Sequence, residues 1–323
     1  MSLRWLLMVI FCVLFFIKVR AQQEALYSQY FFNQLAINPA YAGNNDALDI
    51  TSLSRKQWFG LNGSPTTFSL FGHTPLLTNR AVERTYSDGN HHFFSPNNQI
   101  GLGVVLCNAH MGVNNNFLAS FSYSYKVLLS DEERLSFGIQ GSIFNFRQLY
   151  NQLDNINTLD PVFQNNISVT KFNVGTGVFY ETDRYYAGLS VPEIIENHLN
   201  PENSSGEKQL RQYFITGGYL FYLNLNLKIK PTFLFRYTDG LPPGFDISAN
   251  VLYKDKTWIG ISYSHNNAVS MIGEFFISPK FRIGLAYDYP VSQLHLVTHG
   301  SGELMLNYTF LKTSKRIINP RYF

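Results

Sequence analysis

Phe117-Leu118-Ala119-Ser120-Phe121-Ser122-Tyr123-Ser124-Tyr125-Lys126-Val127 sets how the rest of the chain is read. Phe117, Ala119, Phe121, Tyr123, Tyr125 and Val127 fall on one face of an extended strand, and Ser120, Ser122 and Ser124 on the other. The same two-residue period puts Ile100, Leu102, Val104 and Leu106 on one face, with Cys107 turned to a lumen or its mouth. It returns in Phe172, Val174, Val178 and Tyr180, in Leu227, Ile229, Phe233, Phe235 and Tyr237, and in Leu304, Leu306, Tyr308 and Phe310. The faces between are Gly, Ser, Asn and Thr with a few charges, a polar lining with an apolar exterior. A tilted strand needs about ten residues to cross hydrocarbon. Segments of that kind cover 46–58, 65–77, 98–109, 116–129, 133–147, 169–181, 184–192, 210–223, 226–238, 244–254, 256–265, 268–278, 280–290 and 301–312. The expected fold is therefore all-β, a transmembrane antiparallel outer-membrane β-barrel of about 14 strands over 46–312, preceded by a short N-terminal periplasmic or plug segment.

A soluble secreted β-sandwich shows the same alternation. Aromatic clusters at strand ends favour the barrel, because interfacial girdles require them: Tyr185-Tyr186, Tyr219 to Tyr222 and Tyr287 to Tyr289. Composition agrees, with 28 Phe and 20 Tyr against 15% charged residues. From Ser130 onward, short connections (Ser130 to Glu132, Thr182-Asp183, Asn224-Leu225, Asp255, Ser278-Pro279) alternate with longer ones, the habit of short periplasmic turns and long outer loops. An even strand number then leaves both termini in the periplasm. The twenty residues 78–97 break that habit on the short side.

The first residues point to export. Arg4 precedes an apolar run from Trp5 to Ile17, too short to span a bilayer, and Ala21 supplies a small residue at the expected cut. Residues 1–21 read as a signal peptide. Their loss removes Arg4, Lys18 and Arg20 and no acids, so the 25 basic residues less these three equal the 22 acids. A neutral chain gives no footprint for nucleic acid. Only Cys107 then remains, which excludes an internal disulfide framework. Residues 22–45 do not alternate. Ala25 to Leu35 is a candidate short helix, stopped before Asn38-Pro39; it lies in the periplasmic mouth, plugs the lumen, or packs beneath the barrel.

Chemistry is sparse. No nucleophile elbow, phosphate loop or zinc-protease helix occurs, and Gly101-Leu102-Gly103 and Gly175-Thr176-Gly177 read as relief of crowding within strands. His91-His92 lies in the 78–97 insertion, and His295 and His299 are four apart in a loop too short for a helix. Glu193 and Glu196 have helical spacing, for which a capped surface helix is the expected setting. Lys228, Lys230 and Arg236 share one strand's polar face and either line a positive wall or pair with inward acids. No catalytic, cofactor or metal site is expected, and no enzyme activity.

A resemblance narrows the function. Tyr27-Ser28-Gln29-Tyr30, Asn33 to Ile37, Asn38-Pro39-Ala40-Tyr41-Ala42-Gly43, Arg55-Lys56-Gln57-Trp58, Gly63-Ser64-Pro65-Thr66-Thr67 and His73-Thr74-Pro75-Leu76 occur in that order. The chain closes on Asn319-Pro320-Arg321-Tyr322-Phe323. This set resembles the PorP/SprF family of outer-membrane proteins linked to type IX secretion and gliding motility. The resemblance implies a non-enzymatic barrel that exports or anchors a large adhesin-like protein carrying a C-terminal type IX signal. Its partners would be that protein, subunits of the secretion machinery and outer-membrane lipid. Tyr30, Asn38, Pro39, Tyr41, Gly43, Trp58, Arg321, Tyr322 and Phe323 are the candidate partner-binding residues, with 313–323 a periplasmic tail. Loops 148–168 and 193–209 are expected to meet the secreted partner. The family usually joins the His-Thr-Pro-Leu strand to the next strand briefly, so 78–97 is a departure. The alternative is a passive transporter for a small hydrophobic or polar solute.

Overall fold

The computed structural model describes residues 27–45, 47–76, 99–130, 133–150, 166–199 and 208–310. The signal peptide, the 78–97 insertion with His91-His92, most of loop 148–168, and the tail with Arg321, Tyr322 and Phe323 lie outside them.

Fourteen antiparallel strands form one closed barrel. They are β1 Leu48–Lys56, β2 Thr66–Pro75, β3 Gln99–Met111, β4 Asn114–Leu128, β5 Arg134–Gln148, β6 Ile167–Glu181 and β7 Tyr185–Val191. β8 comprises Gln212–Tyr219 and Phe221–Asn224; then come β9 Leu227–Thr238, β10 Gly244–Tyr253, β11 Thr257–Ser264, β12 Ala268–Ser278, β13 Phe281–Pro290 and β14 Ser301–Phe310. Each strand pairs with its neighbours in sequence, and β1 closes on β14 from Leu48↔Phe310 to Lys56↔Gly302. Closure leaves no sheet edge to the lipid, which backbone groups in hydrocarbon require.

The alternation has the expected sense. In β4, Ser120, Ser122 and Ser124 are buried while Phe121 and Tyr123 are exposed to the lipid side. Tyr185 and Tyr219 stack outside at a strand-end girdle, ring centroids 6.2 Å apart. Tyr186, expected in the girdle, instead points inward and is buried, because adjacent residues of a strand face opposite sides. β8 is interrupted at Leu220, whose side chain turns in beside Leu252 and Trp258. The turns 182–184, 225–226, 254–256 and 279–280 gather at one mouth, and the strand ends Gln148, Ile167, Val191, Gln212, Pro290 and Ser301, between which the long connections run, lie toward the other. Lys254 and Asp255, both at positive φ, are the central residues of a tight turn closed by the Lys256 amide donating to the Tyr253 carbonyl at 3.1 Å.

Two further expectations are corrected. The helix over Ala25 to Leu35 is replaced, where described, by 3-10 turns Tyr30–Phe32, Gln34–Ala36 and Pro39–Tyr41. Short turns with different facings let successive side chains meet different walls, which one regular helix face does not. Glu193 and Glu196 do not sit on a helix. Glu193 is buried and accepts from Gln209 Nε2 at 2.6 Å, beside a small ribbon of Asn197–His198 with Lys208–Gln209.

Candidate functional site

The interior of the barrel is where this sequence concentrates its specific contacts. Residues 27–45 lie inside it, and Gln29, Tyr30, Phe31, Gln34, Leu35 and Asn38 to Ala42 are buried. The segment is held at both ends by polar clasps and between them by aromatic packing.

Toward the loop mouth, Arg55, Asp288 and Glu303 form the first clasp. Arg55 Nη2 lies 2.8 Å from Asp288 Oδ2, and Arg55 Nη1 is ion-paired with Glu303. Ser28 sits in their midst: its amide donates to Glu303 Oε1 at 2.7 Å, its hydroxyl donates to Asp288 at 2.7 Å, and Arg55 Nη1 donates to that hydroxyl at 2.9 Å. The Gln29 amide also donates to Glu303, at 3.2 Å. Three buried ionised groups thus have both a counter-charge and hydrogen bonds, the condition under which buried charge is tolerated. Tyr27 completes this end, its hydroxyl 2.6 Å from Ser69 Oγ and 3.6 Å from Cys107 Sγ.

Between the two clasps along the segment, Lys230 Nζ stands 4.7 Å from the Trp258 ring, 5.2 Å from Phe32 and 5.7 Å from Phe31, within cation–π reach of each. Its neighbours on the expected basic face are paired: Arg236 with Asp246 at 2.9 Å, and Lys228 with Asp255. Pairing, rather than an open positive wall, is the outcome. Arg282 meets Glu274 at 3.0 Å around a void of about 20 Å³ that Phe31, Asn33, Tyr41 and Asp49 also line. A space of that size holds about one water.

Along β4 to β7 the wall meets backbone. Ser190 Oγ donates to the Ile37 carbonyl and Ser124 Oγ to the Ala42 carbonyl, each at 2.6 Å. Asn38 caps its own turn by accepting from the Ala40 amide at 2.9 Å and donates to the Val178 carbonyl at 3.0 Å. Lys126 donates to Asn44 at 2.9 Å, and Asn44 donates to Glu181 at 2.6 Å. Inward glycines make room for these approaches. A Cβ at Gly138 would strike the backbone of Pro39 and Ala40, one at Gly101 the Ala42 carbonyl, and one at Gly177 the Asn38 side chain. Gly43 has φ +63°, and its own Cβ would meet the Gly101 Cα.

The sequence itself decides the family. Residues 19–308 match the model of the type IX secretion system membrane protein PorP/SprF. The chain belongs to that family. It is an outer-membrane component of type IX secretion, in a family of secretion barrels rather than enzymes. Comparison with curated proteins finds no match. Among solved structures it is similar to the Acinetobacter baumannii outer membrane protein Omp33, with a TM-score of 0.48 and 6% identity over 83% of this chain and 100% of that one. It is also similar to the Ralstonia pickettii toluene transporter TbuX, with a TM-score of 0.47 and 12% identity over 84% and 91%. A Pseudomonas aeruginosa FadL homologue gives a TM-score of 0.42 and 13% identity over 85% and 93%.

In this PorP/SprF chain Tyr30, Asn38, Pro39, Tyr41 and Gly43 come together in the lumen, all as contacts between segment and wall. Trp58 stands apart in the β1–β2 connection at φ 53°, its amide donating to Ser301 Oγ at 3.2 Å. His295 and His299 lie at the loop mouth, engaged with the Ser292 and Phe59 carbonyls respectively. Sequence reasoning missed Ser28, Gln29, Arg55 and Asp288 as a unit with Glu303. Parity alone marks Arg55, Asp288 and Glu303 as inward polar positions. That Arg55 and Glu303 face each other follows only from closure of β1 on β14.

Proposed function

We propose that this chain is a sealed outer-membrane anchor that works beside the type IX machinery in exporting or displaying one large adhesin-like protein, and is not itself the conduit. The observation that carries this reading is the interior: residues 27–45 lie buried in the barrel, clasped at each end, against glycines whose absence of a side chain matches the segment's backbone. A wall fitted to a resident segment is what a scaffold needs, and a passing substrate does not. The secreted partner, recognised through its C-terminal type IX signal, would meet the long connections 148–168 and 193–209. The short-turn mouth, where β14 ends at Phe310, would face the periplasm. There the tail with Arg321, Tyr322 and Phe323 would contact subunits of the machinery.

The test is deletion of the protein in its host with surface proteins quantified by shaving and mass spectrometry, together with affinity capture of a tagged copy from solubilised membranes. One large surface protein should vanish while other type IX substrates persist, and the tagged barrel should bring it down. Unchanged display sinks the proposal. The passive-transporter reading requires the segment to leave the lumen, so solute flux through liposomes holding the intact protein would favour it.

A further inference from the structure

Charge is unevenly spread around the short-turn mouth. Three successive turns over β8 to β13, at 225–226, 254–256 and 279–280, bring Lys254, Lys256 and Lys280 to the surface. The one acid in those turns, Asp255, is engaged by Lys228. Among the described residues no carboxylate lies at ion-pair distance from Lys254, Lys256 or Lys280. The turns of β4 to β7 carry Glu133 and Asp183 beside Arg134 and Arg184 instead. Backbone bonds hold the basic turns side by side. The Lys254 amide donates to the Asn226 carbonyl at 2.7 Å, the Phe276 amide to the Lys256 carbonyl at 2.9 Å, and the Thr309 amide to the Lys280 carbonyl at 2.8 Å. With neighbouring strands about 5 Å apart, the arc is one continuous surface.

The outer face of the same arc is apolar right to its tips. Phe221 packs on Tyr219 on the outward side of β8, ring centroids 4.5 Å apart, and Leu223 follows on that side, 56% exposed. Leu225 in the turn is 94% exposed, and Ile277, the last outward residue of β12, 64%. Lys254 is turned to this outer side and away from the lumen: its Nζ stands 5.1 Å from the ring of Tyr253, an outward residue of β10. It sits at positive φ in a turn that favours Asn, Asp or Gly, so turn geometry does not account for a lysine there. Amines at the rim of an apolar wall stand at the headgroup level of a leaflet, with their stems along the hydrocarbon. We propose that this arc binds an anionic phospholipid, its phosphate held by Lys254, Lys256 and Lys280 and its acyl chains laid along Leu223, Leu225 and Ile277. The apolar half of the surface lies on the side that every strand turns to hydrocarbon, where a lipid is in reach and a water-soluble acidic protein is not. If the short-turn mouth faces the periplasm, the lipid belongs to the periplasmic leaflet; the preference for an anionic headgroup is the same in either orientation.

The test is native mass spectrometry of the intact barrel in detergent, titrated with phosphatidylglycerol or with phosphatidylcholine of the same acyl chains. A basic residue at an anionic lipid surface is worth about fivefold in affinity, so the wild type should bind phosphatidylglycerol at least about tenfold more tightly. Lys254→Gln, Lys256→Gln and Lys280→Gln combined should bring the two lipids within about twofold of each other. Lys56→Gln, Arg147→Gln and Lys208→Gln combined, which remove the same charge at the loop mouth, should leave the preference as it is. Heat-dependent gel mobility checks that both triple variants are folded. Equal binding of the two lipids by the wild type overturns the proposal, as does a preference that survives loss of the three lysines or falls equally in both triple variants. Excess inorganic phosphate should not displace the phosphatidylglycerol; displacement would make a free anion the ligand and overturn the assignment to lipid. None of these outcomes depends on the adhesin reading.

Discussion

Arg55 is the residue on which the loop-mouth clasp depends. Replacing it with Met strands Asp288 and Glu303 side by side without their shared cation, and removing one partner of a buried ion pair costs about 3–5 kcal/mol. Glu303→Gln is milder, because the amide still accepts from Ser28 and Asp288 still balances Arg55. Thermal unfolding in detergent, followed by heat-dependent gel mobility, should rank Arg55→Met well below Glu303→Gln and the latter below wild type. Equal transitions would mean that the clasp does not stabilise the barrel. A matched glycine pair reports on the fit instead. Gly138→Ala drives a Cβ into the backbone of Pro39 and Ala40, whereas Gly141→Ala on the same strand meets nothing within 4 Å. Overpacking of this kind costs about 1–3 kcal/mol. Maleimide modification of Cys107, which lies beside Tyr27, should speed up in Gly138→Ala and stay unchanged in Gly141→Ala. Equal rates in the two would show that the wall does not depend on that gap.

At the scale of elements, the fourteen strands were legible because each buries one face in a lumen and shows the other to lipid, which writes a two-residue period into the chain. Even the direction was readable: serines in and aromatics out along β4. The segment 27–45 was not legible as a structure. Its 3-10 turns repeat no face, and what fixes it is complementarity to serines and glycines on strands far away in sequence, such as Ser124 with Ala42, 82 residues apart, and Ser190 with Ile37, 153 apart. The glycine pairs around residues 102 and 176 were seen as relief of crowding, but nothing local names the crowding group. Exchanging residues 27–45 for a Gly/Ser linker of equal length tests the role of this element, because such a linker has no side chains to fill the lumen. Planar-bilayer recording should give a closed wild type and an open, ion-conducting variant. A silent variant would assign occlusion of the lumen to the connections at the loop mouth.

For the whole molecule, the question is whether the barrel works with its segment in place. The inward charges of Arg55, Arg236 and Arg282 are each matched by an inward acid, and Lys228 is paired with Asp255 in the β10–β11 turn, so the interior is balanced for holding its own chain. A covalent lock converts that into an experiment. A Cβ built at Gly103 lies 3.1 Å from the Ala42 Cβ, a few tenths short of the roughly 3.5–4.5 Å that a disulfide prefers, so Ala42→Cys with Gly103→Cys should bridge segment to wall after a small local shift. The compartment in which the barrel folds is oxidising, which favours the bond. If the protein is a sealed anchor, cells carrying the oxidised double variant display the secreted partner as wild type does, and a reductant changes nothing. If the segment must leave, for a solute or for the partner itself, display or flux collapses in the oxidised cells and returns on reduction. Each single-cysteine variant, handled in parallel, separates the effect of the lock from that of the added side chains in a tightly filled site.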